Sequence, residues 1–115
     1  MLRGEIRLVD LGPVRGSEAD KRRPAVVVSN DGANSAAARL GSGVVTIVPV
    51  TSSVTRVYPF QVLLRASDTG LRRDSKAQAE QVRSVAVERV GARVGVVSPG
   101  QMAELDEALR LHLAL

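Results

Sequence analysis

The chain has 115 residues, which is enough for one domain with a modest core. It contains no cysteine and a single histidine, so disulfides, thiolate metal sites and a two-histidine acid–base pair are excluded. Only two residues are aromatic, which excludes a platform of several stacking rings for single-stranded nucleic acid. The formal net charge of +4, with 14 arginines against 2 lysines, favours an anionic partner.

The chain shows no sign of a targeting segment, a membrane span or a domain boundary. Its first ten residues carry four charges, so they lack the apolar core of a signal peptide. No apolar run approaches the roughly 18 residues that a spanning helix needs. We therefore expect a soluble, cytoplasmic protein in which residues 1–115 form a single domain.

Short valine-rich runs in the first half of the chain predict β-strands. They are rich in β-branched residues and bounded by Gly, Asn, Asp and Ser, which favours strands over buried helices. The runs lie at residues 6–9, 26–28, 44–45 and 47–50. Between them, residues 11–23 predict a long polar loop, and the Ala- and Gly-rich residues 30–43 predict one helical turn before a hairpin.

The second half continues the strand pattern and ends differently. Further strands are predicted at residues 61–64, 82–87 and 94–97, with a turn at Thr69-Gly70. Ser98 is a good N-cap and Pro99 suits the first position of a helix. The helix face is formed by Met102, Leu105, Leu109 and His112. The predicted fold is mainly β, a small barrel of five to seven strands over about residues 1–97 with an amphipathic helix over about residues 98–113.

The loop that precedes the second strand run is a candidate phosphate site. Gly16 permits an unusual backbone angle or the close approach of a ligand. Lys21 and the arginines after it can bind a phosphate, although these residues by themselves favour a solvated charged loop, since such surface loops are common. Arg23 differs from the others because it lies at the mouth of a strand, where its guanidinium can be held in place.

Three other positions are candidates for contacts with an anionic ligand. Thr51 and Ser52 leave a buried strand and can bond a phosphate oxygen, or they can merely satisfy the backbone of a turn. Residues 74–83 alternate in character, so Gln81 can read a base edge through its amide, or the segment is an exposed edge strand protected by charge. Tyr58 can stack on one base or sugar, or pack against the protein.

Read together, these motifs form an ordered series along the whole chain. The series comprises RGEI at 3–6, VDL at 9–11, GSE at 16–18, RPAVVVSND at 23–31, VPVTS at 48–52, YPF at 58–60 and EQVRSV at 80–85, followed by an acidic and leucine-rich helix. It resembles the MazF/PemK family of toxin endoribonucleases, the mRNA interferases of bacterial type II toxin–antitoxin systems. One position departs from the family pattern, because Arg7 stands where an aromatic residue is common.

The resemblance implies an SH3-like barrel of the CcdB/PemK type, a homodimer and a cognate acidic antitoxin that occupies the RNA groove. It implies sequence-specific cleavage of single-stranded RNA, chiefly mRNA, that needs neither a metal nor another cofactor. The implied products carry a 2′,3′-cyclic phosphate and a 5′-hydroxyl. Carried over by position, Arg23 and Thr51 are catalytic. The positions expected to contact RNA are Arg15, Gly16, Ser17, Glu18, Lys21, Ser52, Tyr58 and Gln81.

Elementary chemistry agrees with an arginine and a hydroxyl as the reactive pair. An arginine stays protonated in the working range of pH, so Arg23 is a donor that can stabilise the charge developing on a phosphorane. The Thr51 hydroxyl can hold a non-bridging oxygen in place. Two alternatives remain open at this point, a toxin of the same fold that poisons DNA gyrase by binding it, and a catalytically inactive barrel that serves as a binding module.

Overall fold

The computed structural model describes residues 1–13, 15–17 and 21–115, and within them the chain forms seven strands and three α-helices. The strands are β1 (Glu5–Asp10), β2 (Arg22–Val27), β3 (Val44–Thr51), β4 (Gln61–Leu64), β5 (Ser75–Gln78), β6 (Arg83–Ala86) and β7 (Val90–Val96). The helices are α1 (Asp31–Leu40), α2 (Ala66–Thr69) and α3 (Pro99–Leu113). Short 3₁₀ turns at Ala79–Gln81 and Val87–Arg89 flank β6.

All strand pairs are antiparallel and belong to one sheet in the order β4-β5-β3-β2-β1-β7. The eight-residue strand β3 joins the two halves, because its first half pairs with β6 and its last two residues pair with β5. Within the described residues no ladder links β4 to β7, so hydrogen bonds do not close the sheet into a complete barrel. The mainly β fold with a terminal helix is confirmed.

The two faces of the sheet bury different side chains. Val26 and Val48 belong to a cluster that also contains Leu105 of α3, whereas Val27 and Ile47 belong to a second cluster on the other face. Successive side chains of a strand point to opposite faces, so a continuous valine run is apolar on both sides. The first cluster is covered by α3, which packs against β4 and the 79–81 turn.

Two helical expectations need correction. Residues 31–40 form a ten-residue helix rather than one turn. Asn30 caps its start, because Asn30 Oδ1 accepts from Ala33 N at 2.8 Å, and Ala37 on the inner face of the helix is buried. The terminal helix begins as expected, with Ser98 in a reciprocal capping box and Pro99 in the first turn. Its apolar face is shorter than predicted, because His112 is exposed beyond the end of the core.

The segment at residues 74–83 is not an exposed edge strand. β5 pairs with β3 on one side and with β4 on the other, so both of its edges are hydrogen-bonded. Lys76 in its middle is only 8% exposed, and its Nζ donates to the Arg56 carbonyl at 2.6 Å. The chain then leaves the strand through the 3₁₀ turn, which carries Gln81.

Arg7, the one departure from the pattern that the sequence resembles, joins β1 to β7 through its side chain. Its Nε donates to the Gly91 carbonyl of β7 at 2.9 Å, and its Nη1 lies 3.1 Å from Glu5 Oε1. The charge is therefore balanced within the sheet. Across the described residues, no helix combines the length and the apolar character needed to cross a membrane.

Candidate nucleic-acid interface and active site

A cleft of about 750 Å³ opens where β2 and β3 meet the segment between α2 and β5. Its apolar lining includes Leu8, Pro24, Val50, Leu71 and Val94, and its polar lining comprises Arg23, Thr51, Ser52, Arg72, Arg73 and Ser75. Among the lining residues that the structure describes, three are arginines and none is acidic. The local charge is thus more one-sided than that of the chain as a whole, and it suits a polyanion with an apolar part, such as a nucleotide chain.

Strand register explains why Arg23 and Thr51 line the same cleft. Ala25 of β2 is paired with Pro49 of β3 in an antiparallel ladder. That pair is the last of the ladder, and Arg23 and Thr51 each lie two residues beyond it toward the same end of the sheet, where both line the cleft. Both side chains are half-buried, so each is restrained by its surroundings while remaining accessible.

The turn after β3 orients the Thr51 hydroxyl. The backbone N–H of Ser53 donates to Thr51 Oγ1 at 3.2 Å. Because that oxygen accepts a bond from the turn, its own proton remains available to donate to a ligand. The two interpretations of Thr51 from the sequence are therefore compatible. The hydroxyl can support its turn and bind a phosphate oxygen at the same time. Ser52 beside it is exposed on the cleft lining.

Arg72 and Arg73 were not among the sequence candidates, yet they line the same cleft as Arg23. In the sequence, the only feature that marks these two residues is that they form a pair of arginines just after the Thr69-Gly70 turn, separated from it by Leu71. Charge alone could not identify them, because 14 arginines are spread along the chain and most charged pairs are simply solvated. Only the tertiary structure shows that this turn faces the end of β3.

A second group of candidates lies where the loop before β2 meets the 79–81 turn. Gln81 Nε2 donates to the Ser17 carbonyl at 3.1 Å, which brings these two predicted residues together. Gly16 has a φ of 59°, as the sequence reading allowed, and Arg15 and Ser17 beside it are exposed. Lys21 is exposed one residue before β2. Glu18 lies outside the described residues.

Tyr58 belongs to a third group, which surrounds the side chain of Lys76 in β5. Its ring stacks on Phe60 with 5.3 Å between centroids and 2° between planes. The Arg56 guanidinium and the Lys76 ammonium lie 5.7 and 5.8 Å from the Tyr58 ring centroid. Tyr58 is nevertheless 41% exposed, so it both packs and presents a surface. Lys76 links this group to the cleft, because it is the direct register partner of Thr51.

The structure thus unites Arg23, Thr51 and Ser52 in one cleft, whereas the Gln81–Ser17 and Tyr58 groups lie outside its lining. Within residues 1–13, 15–17 and 21–115, no cluster of three or more His, Asp or Glu side chains has an arrangement that could hold a metal ion. What the cleft offers is guanidinium charge, a positioned hydroxyl and apolar walls. That combination can bind a phosphodiester and stabilise extra negative charge on it.

Comparison with known proteins gives concordant results. The family model described as PemK-like, MazF-like toxin of type II toxin–antitoxin system matches residues 2–113. The chain is 64% identical over 115 residues to endoribonuclease MazF9 of Mycobacterium tuberculosis, covering 100% of this chain and 98% of that protein. Its structure is similar to that of an endoribonuclease from a mycobacterial species, solved in complex with its cognate antitoxin, with a TM-score of 0.77 and 26% sequence identity. The match covers 100% of this chain and 96% of the other. It is also similar to the crystal structure of MazF from Deinococcus radiodurans, with a TM-score of 0.78 and 27% sequence identity. That match covers 100% of this chain and 97% of the other.

Proposed function

The chain belongs to the PemK-like, MazF-like family of type II toxins, and on that premise we propose that it is an endoribonuclease that cleaves single-stranded RNA at specific sequences. Its 64% identity to a named endoribonuclease over the full chain favours this activity over gyrase poisoning and over an inactive binding module. The observation that carries the proposal is the cleft that Arg23 and Thr51 line together, to which the described residues contribute three arginines and no carboxylate.

In the proposed reaction the 2′ oxygen of a ribose attacks the adjacent phosphorus. A bond forms between the 2′ oxygen and phosphorus, and the bond from phosphorus to the 5′ oxygen of the next nucleotide breaks. The 2′-hydroxyl loses its proton and the departing 5′ oxygen gains one, which leaves a 2′,3′-cyclic phosphate and a 5′-hydroxyl. This chemistry is internal to the RNA, so the protein's task is positioning and electrostatic stabilisation.

Arg23 and Thr51 are assigned complementary roles. The Arg23 guanidinium stabilises the negative charge that builds up on the non-bridging oxygens as phosphorus becomes five-coordinate. Thr51 donates a hydrogen bond from its hydroxyl to one of those oxygens. Its proton is available for this bond because Thr51 Oγ1 already accepts the backbone N–H of Ser53. A guanidinium stays protonated at neutral pH, so Arg23 acts as a charge and hydrogen-bond donor rather than as a base.

The remaining sequence candidates are proposed as RNA contacts outside the reacting phosphate. Arg15, Lys21 and Ser52 contact the sugar–phosphate backbone of the RNA. The loop of Gly16, Ser17 and Glu18 lies along the RNA strand. Gln81 recognises a base edge through its amide. The hydrogen bond from Gln81 Nε2 to the Ser17 carbonyl supports this proposal because it holds the side chain against the RNA-contacting loop. Tyr58, which is partly exposed, contacts one base or sugar, because proteins commonly bind single-stranded RNA through unstacked bases.

We also propose two protein partners for this single-domain chain in the cytoplasm. A cognate acidic antitoxin would cover the basic loop of residues 15–23 and the cleft, as a structurally similar endoribonuclease has been solved in complex with its cognate antitoxin. A second copy would form a homodimer to which α3 and neighbouring strands contribute, and Leu111 and Leu113 are exposed on that helix. Light scattering at micromolar concentration should give twice the chain mass, and a monomer would contradict the dimer.

The test of the proposed function is cleavage of a long defined RNA by the purified chain in the presence of EDTA, with cut sites mapped by primer extension and the ends analysed chemically. Wild type should yield cyclic phosphate and 5′-hydroxyl ends. Arg23→Ala should lower the cleavage rate at least about a hundredfold, whereas Arg39→Ala, an exposed arginine on α1, should not. No cleavage by wild type, or equal cleavage by Arg23→Ala, would contradict the mechanism.

A further inference from the structure

The turn at residues 70–74, here called the arginine turn, places two more guanidinium groups on the rim of the cleft. Arg72 and Arg73 are exposed, and both line the cleft that holds Arg23 and Thr51. We propose that the arginine turn binds an RNA phosphate next to the one being cleaved, so that it grips the strand beside the reacting site. The inference rests on the proposed endoribonuclease function and extends its substrate site to residues that no sequence motif indicated.

The backbone of the arginine turn is held at both ends by hydrogen bonds. At its start, Gly70 N donates to the Ala66 carbonyl at 3.1 Å and Leu71 N donates to Thr69 Oγ1 at 3.2 Å. At its end, Ala66 N donates to Asp74 Oδ1 at 2.8 Å, and Ser75 Oγ donates to the Arg73 carbonyl at 3.0 Å. A turn fixed in this way loses little backbone entropy when it binds a ligand.

Packing fixes the position of the turn relative to the sheet. A Cβ added at Gly95 of β7 would lie 2.5 Å from the Thr69 carbonyl oxygen, so the start of the turn and β7 touch backbone to backbone. Gly70, with a φ of 85°, then redirects the chain in the left-handed conformation that glycine adopts readily. Leu71 packs against the apolar core, which leaves the next two side chains at the surface.

The charges of the turn are not neutralised within the described part of the chain. Neither Arg72 nor Arg73 forms an ion pair or side-chain hydrogen bond there. The adjacent carboxylate of Asp74 instead accepts the backbone N–H of Ala66. Exposed guanidinium groups on a rigid backbone, beside a cleft whose described lining residues are basic or uncharged, suit a phosphate that can take bidentate hydrogen bonds.

The test measures binding of a single-stranded RNA whose 2′-hydroxyl at the cut site is replaced by hydrogen, so that it binds without reacting. Affinity is followed by fluorescence anisotropy between 50 and 200 mM salt for the full chain. Four proteins are compared: wild type, R72Q/R73Q, R72K/R73K and the control R39Q/R110Q, which removes two exposed arginines from α1 and α3. Circular dichroism melting confirms that each variant is folded.

Loss of two phosphate contacts on a single strand should reduce the slope of log K against log salt by about 1.4. R72Q/R73Q should show this change together with roughly tenfold weaker binding at 50 mM salt. The control should keep the wild-type slope and affinity, and R72K/R73K should keep most of the slope because counterion release depends on charge.

Three results would overturn the inference. An unchanged slope and affinity in R72Q/R73Q would show that the turn does not touch RNA. Equal losses in the Gln and Lys variants, or in R39Q/R110Q, would show that the effect is not local charge at the turn. Each of these outcomes leaves RNA cleavage by wild type intact, whereas a wild type that neither binds nor cleaves RNA contradicts the proposed function and this inference together.

Discussion

Arg23 and Thr51 line one cleft from the neighbouring ends of β2 and β3, each two residues beyond the Ala25–Pro49 pair that ends their ladder. The two residues are 28 positions apart in the sequence. The antiparallel ladder is what converts that separation into neighbouring positions, and on its other side Thr51 is paired with Lys76. A shift of one residue in the register would turn one partner to the opposite face of the sheet.

The hydroxyl of Thr51 should be required for catalysis, while its methyl group should not. Thr51→Val keeps the shape and removes the donor, so we expect kcat to fall about a hundredfold or more, the usual cost of losing one donor to a developing oxyanion. Thr51→Ser should retain most of the activity. Single-turnover cleavage of a defined RNA measures both variants, and a fully active Thr51→Val would remove the hydroxyl from the mechanism.

Thr51 and Arg23 should also behave as one unit. If both contact the same reacting phosphate, the double variant Arg23→Ala/Thr51→Val should lose much less than the product of the two single losses. Rates of all four proteins in one buffer complete the cycle. Strictly multiplicative losses would indicate that the two side chains act at separate places on the RNA.

Lys76 should stabilise the fold through its buried hydrogen bond. Lys76→Met removes the donor to the Arg56 carbonyl and the charge beside the Tyr58 ring, so unfolding should cost about 1–3 kcal/mol less. Urea denaturation followed by circular dichroism measures the change. The matched control is Lys21→Met, which alters the chain's only other lysine at an exposed position and should leave the free energy of unfolding unchanged. Equal effects of the two substitutions would count against the structural role of Lys76.

Gly95 should tolerate no side chain, because its Cβ would lie 2.5 Å from a backbone oxygen. Gly95→Ala should lower the free energy of unfolding by about 1–3 kcal/mol, the typical cost of overpacking. Gly100→Ala is the matched control, since nothing lies within 4 Å of its Cβ position and alanine favours the helix there. Thermal melting of both variants should show a lower Tm for the first and an equal or higher Tm for the second.

Gln81 should govern where the RNA is cut more than how fast. Replacing it with Ala removes an amide that both donates and accepts, so discrimination at one base position should weaken by about 1–3 kcal/mol, a figure typical of bidentate base contacts. Primer extension on a long defined RNA compares the cut-site patterns of Gln81→Ala and wild type. An identical pattern would show that Gln81 positions the Ser17 loop without reading a base.

The sequence by itself determined the mainly β class, the terminal helix and the residue types on which the proposed chemistry rests. Valine runs bounded by turn residues indicate strands because β-branched side chains suit a pleated, buried surface, and Ser98-Pro99 marks the helix start through local capping. These signals are local, so they survive without tertiary information. The absence of cysteine and the single histidine excluded a cysteine nucleophile and a two-histidine acid–base pair, and the family resemblance supplied the proposed arginine and hydroxyl.

Only the tertiary structure decided which polar residues share a surface. An exposed edge strand was one interpretation of residues 74–83, yet Lys76 within this segment is buried, because pairing with both β3 and β4 depends on segments far away in the chain. Arg72 and Arg73 gave no local signal that separates them from other surface arginines, yet the contact between Gly95 and Thr69 brings their turn to the cleft. Register, burial and long-range packing are set by the whole sheet, and for that reason they were not readable from any one segment.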